Sequence, residues 1–102
     1  MTDRELLEAA AKAAGIRLWF GPETDPWIME TVATVQWRPL TDDGDALRLA
    51  VKTGEPFVVR TRCVTTMGGL IENFDPGVPG DDLRATRRAI VRAAAEIGKI
   101  MK

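Results

Sequence analysis

The chain of 102 residues contains no histidine and no serine, and it has a single cysteine, Cys63. Without imidazole it lacks the commonest general base near neutral pH and the commonest metal ligand. Without serine no Ser-based triad can be built. One thiol and no imidazole leave no thiolate–imidazole zinc site within one chain. A lone cysteine excludes an internal disulfide framework and fits a reducing compartment. Long apolar runs are missing too. Nothing approaches the ~20 residues that a membrane-spanning helix needs, and the opening Thr2-Asp3-Arg4-Glu5 is not an apolar signal region. These absences predict a soluble cytoplasmic protein with no membrane association, no metal and no cofactor. Any catalysis is left to carboxylates, lysine, threonine or Cys63.

What is present has the ordinary globular balance: 45% apolar residues, 28% charged, and a formal net charge of −1. That length and balance predict one domain over residues 1–102 with a core of its own. A net charge so near zero gives no general pull toward nucleic acid or an anionic membrane.

Local signals set the order of elements. Thr2-Asp3-Arg4-Glu5 reads as a capping box, and Leu6, Leu7, Ala10, Ala13 and Ala14 recur at helical spacing up to a stop at Gly15. Ile16 to Phe20 alternates as a short strand. Gly21 to Pro26 is punctuated as loop, and the β-branched content from Trp27 to Trp37 predicts a second strand paired with the first. Pro39 ends it. Thr41 or Asp42 caps a second helix with Ala46, Leu47, Ala50 and Val51 on its buried side and Leu49 widening it, and Gly54 stops it. Phe57 to Thr65 reads as the clearest strand, with Arg60 and Arg62 on one face. A turn at Met67-Gly68-Gly69 leads to a return strand over Leu70–Phe74. Asp81 or Asp82 caps the last helix, which runs to about Ile100. Its buried stripe is expected at Leu83, Thr86, Ile90, Ala94, Ile97 and Met101, opposite Arg84, Arg88, Arg92, Glu96 and Lys99. Gly98 weakens its last turn.

The sum is α+β, in the order αββαββα: a four-stranded, mainly antiparallel sheet with helices packed on it. The first two helices resemble each other locally, each followed by glycine and a strand. That hints at a repeated αββ unit.

The run Trp37-Arg38-Pro39-Leu40-Thr41-Asp42-Asp43-Gly44-Asp45-Ala46-Leu47-Arg48-Leu49-Ala50-Val51 is distinctive. With the tail from Ala85 to Gly98 and the opening Glu5 to Gly15, it resembles small proteins of bacteriophages and prophages that carry the phage ABA sandwich domain. The resemblance covers nearly the whole chain, the segment between Phe20 and Trp37 being its most variable part. It implies an α/β/α sandwich and phage origin, hence the cytoplasm of a bacterial host. It carries no catalytic residues.

Four groups are candidate sites. Asp42, Asp43 and Asp45 offer oxygen ligands, but their spacing is not that of a calcium loop, and helix capping explains them. From residue 84 onward six basic residues stand against one acidic, and the rest of the chain has eight against fourteen. Arg84, Arg88 and Arg92 are therefore a candidate nucleic-acid or partner surface, weighed against the plain solvated face of an amphipathic helix. Arg60 and Arg62, with Arg17 and Trp19, are candidates for a cationic sheet face. The plain alternative is that the second helix covers that face. Trp27, in a loop flanked by prolines, is the tryptophan expected to be exposed and to touch a partner. With so little site chemistry, the expectation is a non-enzymatic module binding a host or phage protein. Nucleic-acid binding is the alternative, and a self-associating sheet face or edge leaves the oligomeric state open.

Overall fold

The computed structural model describes residues 2–20, 26–29 and 34–101, with residues 19–20, 26–29 and 34–36 described by their backbone alone. The first helix, α1 (Asp3–Ala14), starts at the anticipated capping box. The Thr2 hydroxyl oxygen accepts the Glu5 N–H at 3.2 Å, and Glu5 Oε1 accepts the Thr2 N–H at 3.4 Å. The second, α2 (Asp43–Thr53), starts at Asp42, whose Oδ2 accepts the Asp45 N–H at 2.8 Å. Both helices stop at a glycine with φ of 70°, Gly15 and Gly54, where a side chain would be strained. The third, α3, spans Asp81–Ile100.

Six strands lie between the helices among the described residues: β1 (Leu18–Phe20), β2 (Pro26–Met29), β3 (Thr34–Gln36), β4 (Phe57–Val59), β5 (Cys63–Thr66) and β6 (Ile71–Asn73). They form two three-stranded antiparallel sheets, β1-β2-β3 and β4-β5-β6, rather than one four-stranded sheet. The difference has one cause. Each long extended run expected to be a single strand folds back on itself. In the second half Val59 pairs with Val64, and the Arg60 N–H donates to the Cys63 carbonyl at 2.8 Å. That leaves Thr61 and Arg62 as the turn. No glycine, proline, asparagine or aspartate marks this reversal, so composition gives it no signal. In the first half β2 and β3 pair with Ile28 opposite Val35, and Trp27 lies in β2 rather than in a loop, with Pro26 tolerated as the first strand residue. Of the expected loop from Gly21 to Pro26, Pro26 belongs to β2, and residues 21–25, like the link between β2 and β3, lie outside the described residues. The layout is αβββαβββα: each half is a helix, a glycine stop and a three-stranded meander.

Helix α3 is the centre of the packing. Its residues Ile90, Val91, Ala94 and Ala95 join Leu6, Leu7, Ala10, Ala11 and Ala14 of α1, Ala46, Leu49 and Ala50 of α2, and the buried Trp37 in one cluster. On the sheet side Ala85 and Ala89 meet Val64 of β5. Alanine on both sides lets α3 lie close to its neighbours. At Gly98 the approach is closest: a Cβ there would run into the Ala9 carbonyl, 2.6 Å from its carbon. Gly98 is a packing contact rather than a weak last turn. Asp3 near Arg88, Ala9 against Gly98 and Lys12 against the Met101 carbonyl show α1 and α3 running in the same direction.

The buried stripes differ from the expected ones. In α2 it is Ala46, Leu49 and Ala50 that are buried, while Leu47 and Val51 face solvent. In α3 the expected Ile90 and Ala94 are buried, but Leu83 and Met101 are exposed, and alanines make up most of the rest of the buried face. A helix that contacts neighbours on two sides hides small residues broadly rather than large ones along one stripe. The α3 N-cap is Gly80 rather than Asp81 or Asp82, although Asp82 Oδ1 accepts the first-turn Leu83 N–H at 2.9 Å.

Candidate functional site

The aspartates that follow Pro39 are structural. Asp42 caps α2. Asp45 Oδ2 accepts the Arg38 N–H at 2.8 Å, and its Oδ1 pairs with Arg48 at 2.5 Å. Asp43 pairs with Arg87 at 2.7 Å, and Arg87 also donates to the Leu40 carbonyl at 2.9 Å. Every carboxylate of the three thus has a cationic or backbone donor, and α3 is pinned through Arg87 to the start of α2. No group of three or more His, Cys, Asp or Glu among the described residues is placed to hold a metal ion.

The basic stripe of α3 is paired. Arg84 Nε lies 2.6 Å from Asp81 Oδ1, and its Nη2 reaches the Asn73 carbonyl at 3.2 Å. Arg88 reaches Asp3 at 3.2 Å and Glu72 at 3.4 Å, and Arg92 reaches Glu72 at 3.1 Å. Glu72, on β6, was not singled out from sequence. The alternation of its strand turns it toward α3, where it meets two arginines of the helix. Arg84 holds the Asp81 carboxyl below its ordinary value, helped by the Asp75 N–H, and Asp81 in turn raises Arg84. The Glu5 carboxyl is lowered by its hydrogen bonds to Thr2.

Arg60 and Arg62 do not share a face in mid-strand. They sit at and beside the tip of the β4–β5 hairpin, both exposed, with no ion pair among the described residues. Arg17 precedes β1, in the other sheet, and the side chains of Trp19 and Trp27 lie outside the described residues. The four residues therefore belong to separate sheets. Cys63 is a free thiol, partly buried, at the start of β5.

Two features had no signal in the sequence. The first is an apolar strip. Leu47 is 59% exposed, Val51 75% and Leu83 51%, and they border two adjoining hollows of about 200 and 430 Å³ that share Leu47 and Phe57. Leu47 and Val51 are four residues apart and form a ridge along α2. The second is a concavity of about 360 Å³ between the β5–β6 turn, the loop entering β4 and the C-terminal half of α3. Its walls include Leu70, Ile97 and Ile100, and it carries two carboxylates, Glu55 and Glu96. Both features depend on which apolar residues stay outside, and that follows from helix–helix packing rather than from periodicity.

The described residues define an α+β protein of two helix-plus-meander halves and a third helix that packs against both. No family model matches the chain, nor does any curated protein or solved structure. Among the described residues no helix is long and apolar enough to cross a membrane.

Proposed function

We propose that the chain is a small phage- or prophage-encoded accessory protein that acts in the host cytoplasm by binding a protein partner, not by catalysis. The resemblance through Trp37–Val51 and Ala85–Gly98 supports the origin. The α/β/α sandwich layering belongs to the same reading, supported by α3 on one face of β4-β5-β6. The observation that carries the binding role is the apolar strip of Leu47, Val51 and Leu83, which borders a hollow and stays in water in the isolated chain. Exposed apolar surface next to a concavity, rimmed by Asp43 and Arg87, has the make-up of a protein-binding patch. The test is retention of a host or phage protein from infected-cell lysate on the immobilised chain. Leu47→Glu with Val51→Glu should abolish retention while the circular dichroism spectrum stays unchanged. Retention that survives this double substitution would remove the strip from the function.

Nucleic-acid binding is the second reading, and one observation favours a particular place for it. Arg60 and Arg62 make no ion pair among the described residues and lie at an exposed hairpin tip, whereas Arg84, Arg88 and Arg92 are neutralised by Asp81, Asp3 and Glu72. On this reading Arg60→Ala with Arg62→Ala weakens salt-dependent binding to single- or double-stranded DNA more than the Arg84/Arg88/Arg92 triple alanine does.

A further inference from the structure

The 360 Å³ concavity lies within the size range of small-ligand sites and combines an apolar wall with charge of one sign. Leu70, Ile97 and Ile100 supply the wall. Ile100 is 83% exposed, so the wall is wetted along its outer edge. Glu55 is held in place: its Oε1 accepts the Gly68 N–H at 3.1 Å, and this fixes the carboxylate to the β5–β6 turn. Glu96 faces the same hollow and is paired at 2.9 Å with Lys99, one turn along α3, in an exposed contact. Among the described residues that line the concavity none is basic, and Lys99 reaches it only through its pair with Glu96.

We propose that this concavity is a binding site for a primary alkylammonium group, with the aliphatic stem on Leu70, Ile97 and Ile100 and the charged head at Glu55 and Glu96. Each part of the site selects against a different competitor. The two carboxylates repel an apolar anion. A neutral alkyl chain fills the wall but brings no counter-charge to Glu55. An ammonium on a stem of four to six carbons satisfies both parts at once, as lysine does by laying its methylenes on apolar surface and keeping its head polar. Lys99 already holds an ammonium against Glu96, and an exposed pair of this kind is weak enough for an incoming amine to displace. The amine has two possible sources, a lysine side chain of a partner protein or a free alkyl amine or diamine. Glu55 also lines the hollow beside Leu47 and Val51, but the stem lies on Leu70, Ile97 and Ile100, so the site stands whether or not that strip binds a partner.

The test is a titration of the full chain, followed by amide resonances, with hexylamine, hexan-1-ol and hexanoate at neutral pH. The expected result is saturable shifts at Gly68, Leu70, Ile97 and Ile100, with hexylamine tightest and hexanoate weakest. Glu55→Gln keeps an acceptor for the Gly68 N–H and removes the charge. It should weaken hexylamine about two- to fivefold and leave hexan-1-ol unchanged. Lys99→Gln removes the internal competitor and should tighten hexylamine about twofold. A capped alanine peptide with one central lysine and 1,5-diaminopentane separate the two sources, the tighter of them identifying the natural one. Equal affinity for hexylamine and hexan-1-ol, unsaturable shifts, or a Glu55→Gln variant that binds hexylamine like the parent would overturn the proposal.

Discussion

At Gly98 two residue-scale effects oppose each other. Alanine in place of glycine inside a helix ordinarily gains about 1 kcal/mol. Here the added Cβ meets the Ala9 carbonyl of α1, which is backbone and cannot swing aside. The clash should win, so Gly98→Ala is expected to lower the unfolding free energy by about 1–3 kcal/mol in a urea titration. Asp81 gives a prediction in pH. Its carboxyl is held below the ordinary value by Arg84, so its contribution is fully present above the unfolded carboxyl range of about 4. That contribution disappears as pH falls through the lower native value. Asp81→Asn should therefore flatten the acid side of a plot of melting temperature against pH between about 2 and 5, relative to the parent chain. Single residues that punctuate helices were the most legible part of the sequence. Thr2, Glu5, Gly15, Asp42 and Gly54 each act within three or four positions of themselves, so their neighbours along the chain suffice to assign them. For α3 the sequence offers Asp81 or Asp82 as the cap, but Gly80 takes that position, and Asp81 instead accepts the Asp75 N–H and pairs with Arg84.

Among the elements, β6 and α3 are joined by charge as well as by shape. Glu72 is the shared acceptor for Arg88 and Arg92, and its side chain is only 15% exposed. Removing it with Glu72→Ala leaves Arg88 with Asp3 alone and takes the carboxylate from Arg92, and should cost about 1–2 kcal/mol in the same titration. The cost should shrink in the additional presence of Arg88→Ala, a non-additivity that a double-mutant cycle reads directly. Elements were less legible than residues, and the reason is specific. Arg60 to Cys63 reverses direction with a turn of threonine and arginine, and no residue there demands a positive φ or removes a donor. The split of 57–65 into two strands is decided by the pairing of Val59 with Val64 and by the cover that Ala85 and Ala89 give to Val64. Helix faces failed for the same reason. Leu47 and Leu49 both suit the inside of α2, and only the position of α3 chooses Leu49.

For the whole molecule, the two helix-plus-meander halves meet on a third helix, and the candidate binding surfaces lie where that packing ends. The Leu47→Glu, Val51→Glu pair touches only exposed positions. It should change the unfolding free energy by less than about 0.5 kcal/mol while removing partner retention. The concavity and the apolar strip were invisible in the sequence because each gathers residues from separate elements, Glu55 with Glu96 and Leu47 with Leu83. The packing of α1 on α3 also sets the order in which the chain can fold. Asp3 reaches Arg88 across 85 positions, and Lys12 reaches Met101 across 89. An isolated helix of 12 residues is marginal in water, and contacts so distant in sequence form slowly. While the chain is being synthesised, α1 must therefore wait for residues 81–100, its leucines open to other proteins until then. The pairing of α1 with α3 is thus a step that the synthesis of both intervening meanders must precede.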